Sequence, residues 1–168
     1  MATTKTLDAI ALLKADHQEV KALFDAFEKT DNDDKKQSIA QQAMEALRVH
    51  ATIEEEIFYP ALREALDDED LLDEADEEHR VAKTLIEDLG KGSKTEHFEA
   101  KFTVLAENVR HHIKEEEGDM FKQARAAKVD LKALGEQLST RKQELMGNEK
   151  TLRAAEASSE VKPYQELR

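Results

Sequence analysis

His50-Ala51-Thr52-Ile53-Glu54 and its echo in the second half of the chain, His112-Ile113-Lys114-Glu115-Glu116, decide how everything else is read. On a helix a histidine and a glutamate four apart lie one above the other, so a single turn offers an imidazole and a carboxylate to the same point. That is a metal-ligand spacing. Asp16-His17 stands as far before His50 as Glu78-His79 stands before His112. The two halves are one unit written twice.

Apolar periodicity places these residues on helices. A first helix is expected from about Thr6, with Thr6 as N-cap and Asp8 in the first turn, along the seam Ile10, Leu13, His17, Val20, Phe24, Phe27. A second, near 35–66, carries Ala40, Ala43, Leu47, His50, Glu54, Ile57 and Ala61, with Pro60 predicting a kink or local unwinding one turn after Glu54 and so a helix in two segments. The third, near 70–89, runs Leu72, Ala75, His79, Ala82, Ile86, Leu89, each at the same offset from its counterpart in the first. The fourth, near 95–127, runs Phe102, Leu105, Val109, His112, Glu116, opened by a capping box of Ser93 and Glu96. The echo then weakens, Ile57 becoming Asp119 and Ala61 becoming Gln123, while Met120, Phe121 and Ala124 still match Phe58, Tyr59 and Leu62.

Beyond Lys128, Leu131, Leu138, Leu145 and Leu152 recur at intervals of seven, with Leu134 beside them. Arg141 and Asn148 interrupt this narrow seam, so a fifth helix packed on its own bundle is expected rather than a coiled-coil handle, and with it a monomer. The expected organisation is a bundle over residues 1–127, a C-terminal helix over 128–153 and a mobile tail over 154–168, rich in serine and holding Pro163.

Composition agrees with an all-α fold: only five glycines and two prolines leave little material for sheet turns. A net charge of −13 repels phosphate backbones and anionic headgroups, so neither nucleic acid nor membrane is expected as a partner. The absence of cysteine excludes disulfides, thiolate metal sites and cysteine nucleophiles. No stretch reaches the roughly 20 apolar residues of a membrane span, and Met1–Ile10 does not read as a signal peptide. A cytoplasmic location is the expectation.

A lone histidine on an apolar face is commonly a hydrogen-bonded core residue. Four at matched positions, with two glutamates, require another account, because two uncompensated buried carboxylates would each cost several kcal/mol, on the order of a buried ion without a partner. A cation removes that cost. His17, His50, Glu54, His79, His112 and Glu116 are therefore the candidate metal ligands. Imidazole and carboxylate donors suit iron, with manganese or zinc possible. Six ligands exceed one tetrahedral zinc and suit two ions bridged by the glutamates. His97 and His111 fall off the seam, and Glu56, Glu115 and Glu117 read as surface charge. Glu55 is close enough to Glu54 to assist; Tyr59 reads as a packed aromatic, with a redox or proton neighbour of the metals as the alternative, and Lys21 and Lys83 read as snorkelling surface lysines flanking the seam, with a role beside the metals as the alternative.

Over residues 7–127 this order, together with Ile57-Phe58-Tyr59-Pro60 after the first ligand pair, resembles the haemerythrin-like family of cation-binding His-His-Glu domains. The resemblance implies an up-down-up-down four-helix bundle around an oxo- or hydroxo-bridged di-iron centre. It assigns His17 and His50 to one iron, His79 and His112 to the other, and Glu54 and Glu116 as bridges. Oxygen-carrying members have a further histidine where this chain has Lys83, so the second iron is expected to hold an exchangeable group in its place. The functional expectation is a protein that binds, senses or reduces a small oxidant such as dioxygen, peroxide or nitric oxide. The alternatives are an iron-handling or signalling module without turnover and a bundle in which metal is only a staple.

Overall fold

The computed structural model describes residues 7–165, and its regular elements are helical throughout. Four long helical runs form the bundle: α1 (Ala9–Lys29), α2 (Asp33–Ile53) continuing into α3 (Tyr59–Ala65), α4 (Glu69–Leu89), and α5 (Phe98–Glu115) continuing into α6 (Phe121–Ala126). Two further helices follow, α7 (Leu131–Leu145) and α8 (Glu149–Ser158). Short connections reverse the chain, α1 packing on α2 and α4 on α5, in the up-down-up-down order. Among these residues no helix is long and apolar enough to cross a membrane.

Local chemistry fixes most of the helix starts. The side chains of Asp8, Asn32, Asp68, Asp130 and Asn148 each accept from a backbone N–H one turn into α1, α2, α4, α7 and α8. Thr6, the expected first cap, lies outside the described residues; Asp8, expected inside the first turn, is the cap. The capping box expected before α5 does not open that helix, which begins at Phe98 after His97 in a left-handed conformation without a side-chain cap. Thr95 is held in the preceding turn instead, its hydroxyl donating to the Asp88 carbonyl at 2.9 Å.

Two wide π-helical turns, Glu54–Phe58 and Glu116–Met120, interrupt the second and fourth runs at equivalent places. Each holds one residue more than an α-turn, and the N–H groups of Tyr59 and Phe121 reach back five positions to the carbonyls of Glu54 and Glu116. The buried face therefore moves by one position: Phe58 and Leu62 are buried where the regular period predicts Ile57 and Ala61, and Met120 and Ala124 where it predicts Asp119 and Gln123. The weakened echo is this change of register. Such a turn does not require proline, since the second one forms with Lys122 at the position of Pro60.

The core is divided in two. One apolar cluster holds the start of α1, Phe58, Tyr59, Leu72, Phe121 and the leucines of α7 and α8, and the other holds Val20, Phe24, Phe27, Leu47, Phe102 and Val109. The six candidate ligands form a polar layer between them.

The C-terminal region departs from expectation. The single helix over 128–153 is broken at Gly147, whose φ of 70° ends α7, and Asn148 caps α8. Leu138, Leu145 and Leu152 are each buried against the bundle. Of the expected mobile tail, 166–168 lies outside the described residues, 154–158 completes α8 with Ala155 in the core, and beyond Ser158 the chain is tied to α4 through Val161, Lys162 and Tyr164. Gly135 lets α7 approach α1, because a Cβ there would stand 2.2 Å from the Leu7 carbonyl oxygen.

Candidate metal centre

All six predicted residues converge. His17, His50, Glu54 and Glu116 offer ligand atoms within 4.8 Å of one another, as do Glu54, His79 and His112. The Nε2 atoms of His50 and His79 lie 3.1 and 3.3 Å from Oε1 of Glu54, while those of His17 and His112 lie 3.2 and 3.1 Å from the two oxygens of Glu116. Each glutamate thus stands between an imidazole from the first half of the chain and one from the second. Both glutamate side chains are fully buried.

Among the described residues, the only buried side-chain nitrogen or oxygen atoms without a hydrogen-bond partner are His17 Nε2, His50 Nε2, both carboxylate oxygens of Glu54 and Glu116 Oε1. Natural cores seldom leave such atoms unpaired, and these five belong to one cluster. A cation is what the donor set fits: neutral imidazole nitrogens and anionic oxygens, none able to satisfy another fully.

Behind every imidazole stands a carboxylate. Nδ1 of His17 lies 2.6 Å from Glu117, that of His50 3.0 Å from Asp16, that of His79 2.7 Å from Glu55 and that of His112 2.8 Å from Glu78. This arrangement fixes the ring orientation, turns Nε2 toward the centre and makes the imidazole a stronger donor. The pairs obey the internal repeat, Glu78 being the counterpart of Asp16 and Glu117 that of Glu55. Glu117 is therefore not the surface charge expected of it. Its signal in the sequence is the Glu-Glu pair that ends each ligand turn, Glu54-Glu55 and Glu116-Glu117.

The charges are strongly coupled. Burial pushes the His112 imidazole down, but the carboxylates of Glu116, Glu78 and Glu54 outweigh it and raise it to about 10. Burial likewise opposes the charged form of His50, and Glu54 with Asp16 carries it well above the ordinary histidine value. Glu116 is held well below the usual carboxylate range, burial being outweighed by His112 and His17.

Tyr59 does more than the packing expected of it. Its hydroxyl donates to Glu116 Oε2 at 2.7 Å and stands 3.2 and 3.3 Å from Nε2 of His79 and His112. Burial and the carboxylates of Glu116 and Glu54 push the phenol well above its ordinary value. The π turn delivers it, by moving residue 59 toward the face that Glu54 occupies. Lys83, expected at the surface, is largely buried and bonds Glu55 at 2.6 Å. His97 and His111 are exposed as expected; His111 lies beside Glu115 and Glu78 at the surface.

A cavity of about 710 Å³ opens from the surface onto all four site histidines, with Val20, Met44, Leu47, Ile86 and Val109 among its walls.

Residues 8–124 match the family described as the hemerythrin HHE cation binding domain. The chain is 26% identical over 110 residues to a DNA nickase of Nostoc sp. (strain PCC 7120 / SAG 25.82 / UTEX 2576), an alignment covering 66% of this chain and 31% of that protein. It thus spans less than a third of that relative's length, and no solved structure matches it. The family match takes in both halves of the repeat and every residue that converges on the polar layer, and the chain belongs to the hemerythrin HHE cation-binding family.

Proposed function

We propose that this protein holds two iron ions and binds a small oxidant, dioxygen, peroxide or nitric oxide, which it senses or reduces. The observation that carries the reading is the set of five unpartnered buried donors clustered beside a cavity with largely apolar walls. His17 and His50 would hold one ion, His79 and His112 the other, and Glu54 and Glu116, each between imidazoles of both halves, would serve both. The same donors could take manganese or zinc. Iron in this layer would supply a redox couple and a Lewis-acidic position.

The protein's own residues make the two positions unequal. Tyr59 adds an oxygen beside His79 and His112, which supports a protein donor where Lys83 in place of a histidine suggested an exchangeable group. The corresponding residue of the other half is Phe121, whose ring stacks on His17 at 6.0 Å and offers no donor atom. With Tyr59 beside the second ion, an exchangeable group would have more room on the ion that His17 and His50 would hold. The largely apolar exposed wall suits a small neutral molecule.

The test is metal analysis of the protein as isolated, followed by stopped-flow absorption of the reduced protein mixed with dioxygen or peroxide. Two irons per chain and oxidation on mixing are expected. Iron bound without any reactivity would favour the iron-handling or signalling alternative, and zinc alone would favour a structural staple. DNA nicking is not carried over from the relative: the similarity covers 31% of that protein, and a net charge of −13 opposes a phosphate backbone.

A further inference from the structure

We propose that the C-terminal helices and the segment after them form a clamp that positions one imidazole of each ion, with Lys142 and Ser159 as its positioning residues. The clamp lies outside the family-matched residues 8–124. The proposal rests on the two-iron reading above.

Two of the four carboxylates behind the imidazoles are held from this region. On α7, Nζ of Lys142 lies 2.5 Å from Oδ1 of Asp16, whose other oxygen meets His50. After α8, the Ser159 hydroxyl donates at 2.7 Å to Oε1 of Glu55, whose other oxygen meets His79. Lys83 completes this second arm, donating to the same Glu55 oxygen and to the Val161 carbonyl, both at 2.6 Å, while the Val161 N–H donates to Ser159 Oγ. Lys83 is thus tied to the C-terminal segment by its own charge.

The other two carboxylates, Glu117 behind His17 and Glu78 behind His112, have no partner from residues beyond 124 among the described contacts. The difference shows in burial: Asp16 and Glu55 are 11% and 6% exposed, Glu117 and Glu78 25% and 15%. A carboxylate fixed on its far side cannot swing away from the imidazole it supports. One ring beside each ion is therefore held firmly and one less so.

The clamp is anchored independently of these bonds. Leu138, Leu145 and Leu152 are buried in the core, and Arg48, one turn-half before His50 on the same helix, pairs with Glu149 and Glu156 of α8. Removing one polar contact should leave α7 and α8 in place. What should change is how long each ion stays.

The experiment uses the full chain loaded anaerobically with ferrous iron, the metal-to-protein ratio being measured first. Excess ferrous chelator is then added and release followed by absorbance of the chelate. Ser159→Ala should release half of the iron about tenfold faster than wild type, the low end of the loss expected when such a supporting contact is removed, with the other half unchanged. Lys142→Met should accelerate the complementary half, the double variant both, and Ser159→Thr and Lys142→Arg should restore wild-type rates. Exposed Arg153→Ala, on α8, should change nothing. Wild-type release from both single variants would overturn the clamp. So would equal acceleration of both halves by either one with a lowered melting temperature of the metal-free protein, or failure of the conservative variants to rescue. Failure of the underlying reading is separately visible, because a wild type that takes up no iron, or a His79→Ala variant that takes up the full amount, declares itself in the ratio before chelator is added.

Discussion

Tyr59 and Phe121 occupy equivalent positions in the two halves of the repeat, yet the Tyr59 hydroxyl is 2.7 Å from Glu116 whereas the Phe121 ring lies parallel to His17, 3° between planes. A near-symmetric site is made asymmetric by one oxygen atom. Phe121→Tyr should place a second hydroxyl beside His17 and His50, and Tyr59→Phe should remove the existing one. The first should slow reaction of the reduced protein with dioxygen severalfold. The second should weaken retention of the ion beside His79 and His112 and leave Glu116 to His112 and His17 alone, costing the metal-free protein about 1.5–3 kcal/mol, the range for one hydrogen bond to a charged group. Stopped-flow absorption and thermal melting of both variants measure this, and a Phe121→Tyr protein as fast as wild type would place the open position elsewhere.

Adjacent histidines separate the layer from the surface. The His112 side chain is 9% exposed and faces Glu116, while that of His111 is 61% exposed and faces Glu115. His112→Ala should remove half or all of the bound metal, and His111→Ala should leave it near the wild-type amount. Metal analysis after desalting decides it; exchanged outcomes would mean that the fourth helical run is rotated by one position from its observed register.

Much of the bundle and its polar layer is legible in the sequence. The internal repeat puts the four histidines and two glutamates on buried faces, because seams such as Ile10, Leu13, His17, Val20, Phe24 and Leu72, Ala75, His79 follow the helical period without interruption. Period fails where the backbone leaves the α-helix. An unbroken count gives the core positions to Ile57, Ala61, Asp119 and Gln123; the π turns give them to Phe58, Leu62, Met120 and Ala124 and leave Ile57 and Ala61 half-buried at the core's edge, and the loss of echo is their trace. The reach of Tyr59 into the layer is hidden for the same reason. Composition misleads at the C-terminal segment, since nothing local in Ser159 or Val161 signals bonds to Glu55 and Lys83, which belong to the second and third runs of the bundle.

Metal and stability should be linked, since a cation satisfies the two unpartnered oxygens of Glu54 and offsets the repulsion between Glu54 and Glu116. At free metal a thousandfold above the dissociation constant, one ion adds about 4 kcal/mol to folding. Chelation should lower the melting temperature by several degrees, as read in a paired thermal scan of loaded and metal-free protein. Equal melting temperatures would mean that the carboxylates are already satisfied without metal.

The π turns give the sharpest separation between fold and site. A π turn is an α-helix with one residue inserted, and both turns begin at the glutamates Glu54 and Glu116. Deleting one residue inside the first should restore an unbroken α-helix while leaving Phe58 and Leu62 on the buried face. Glu56 is the residue to remove, because it is one-third exposed and its contact is a surface pair with Arg141, whereas Glu55 supports His79. Metal-free stability should stay within about 1–2 kcal/mol of wild type, the range of an ordinary surface change plus local repacking. Glu54 and Tyr59 would no longer be spread across a widened turn, so they could not reach both ions, and the metal content should fall to one ion or none. Pro60→Ala should do neither, since the second turn forms with Lys122 in that place. Circular dichroism for folding and metal analysis for binding, on both variants, separate the possibilities. A Glu56 deletion that folds and still carries full metal would show that the wide turn has no part in building the site.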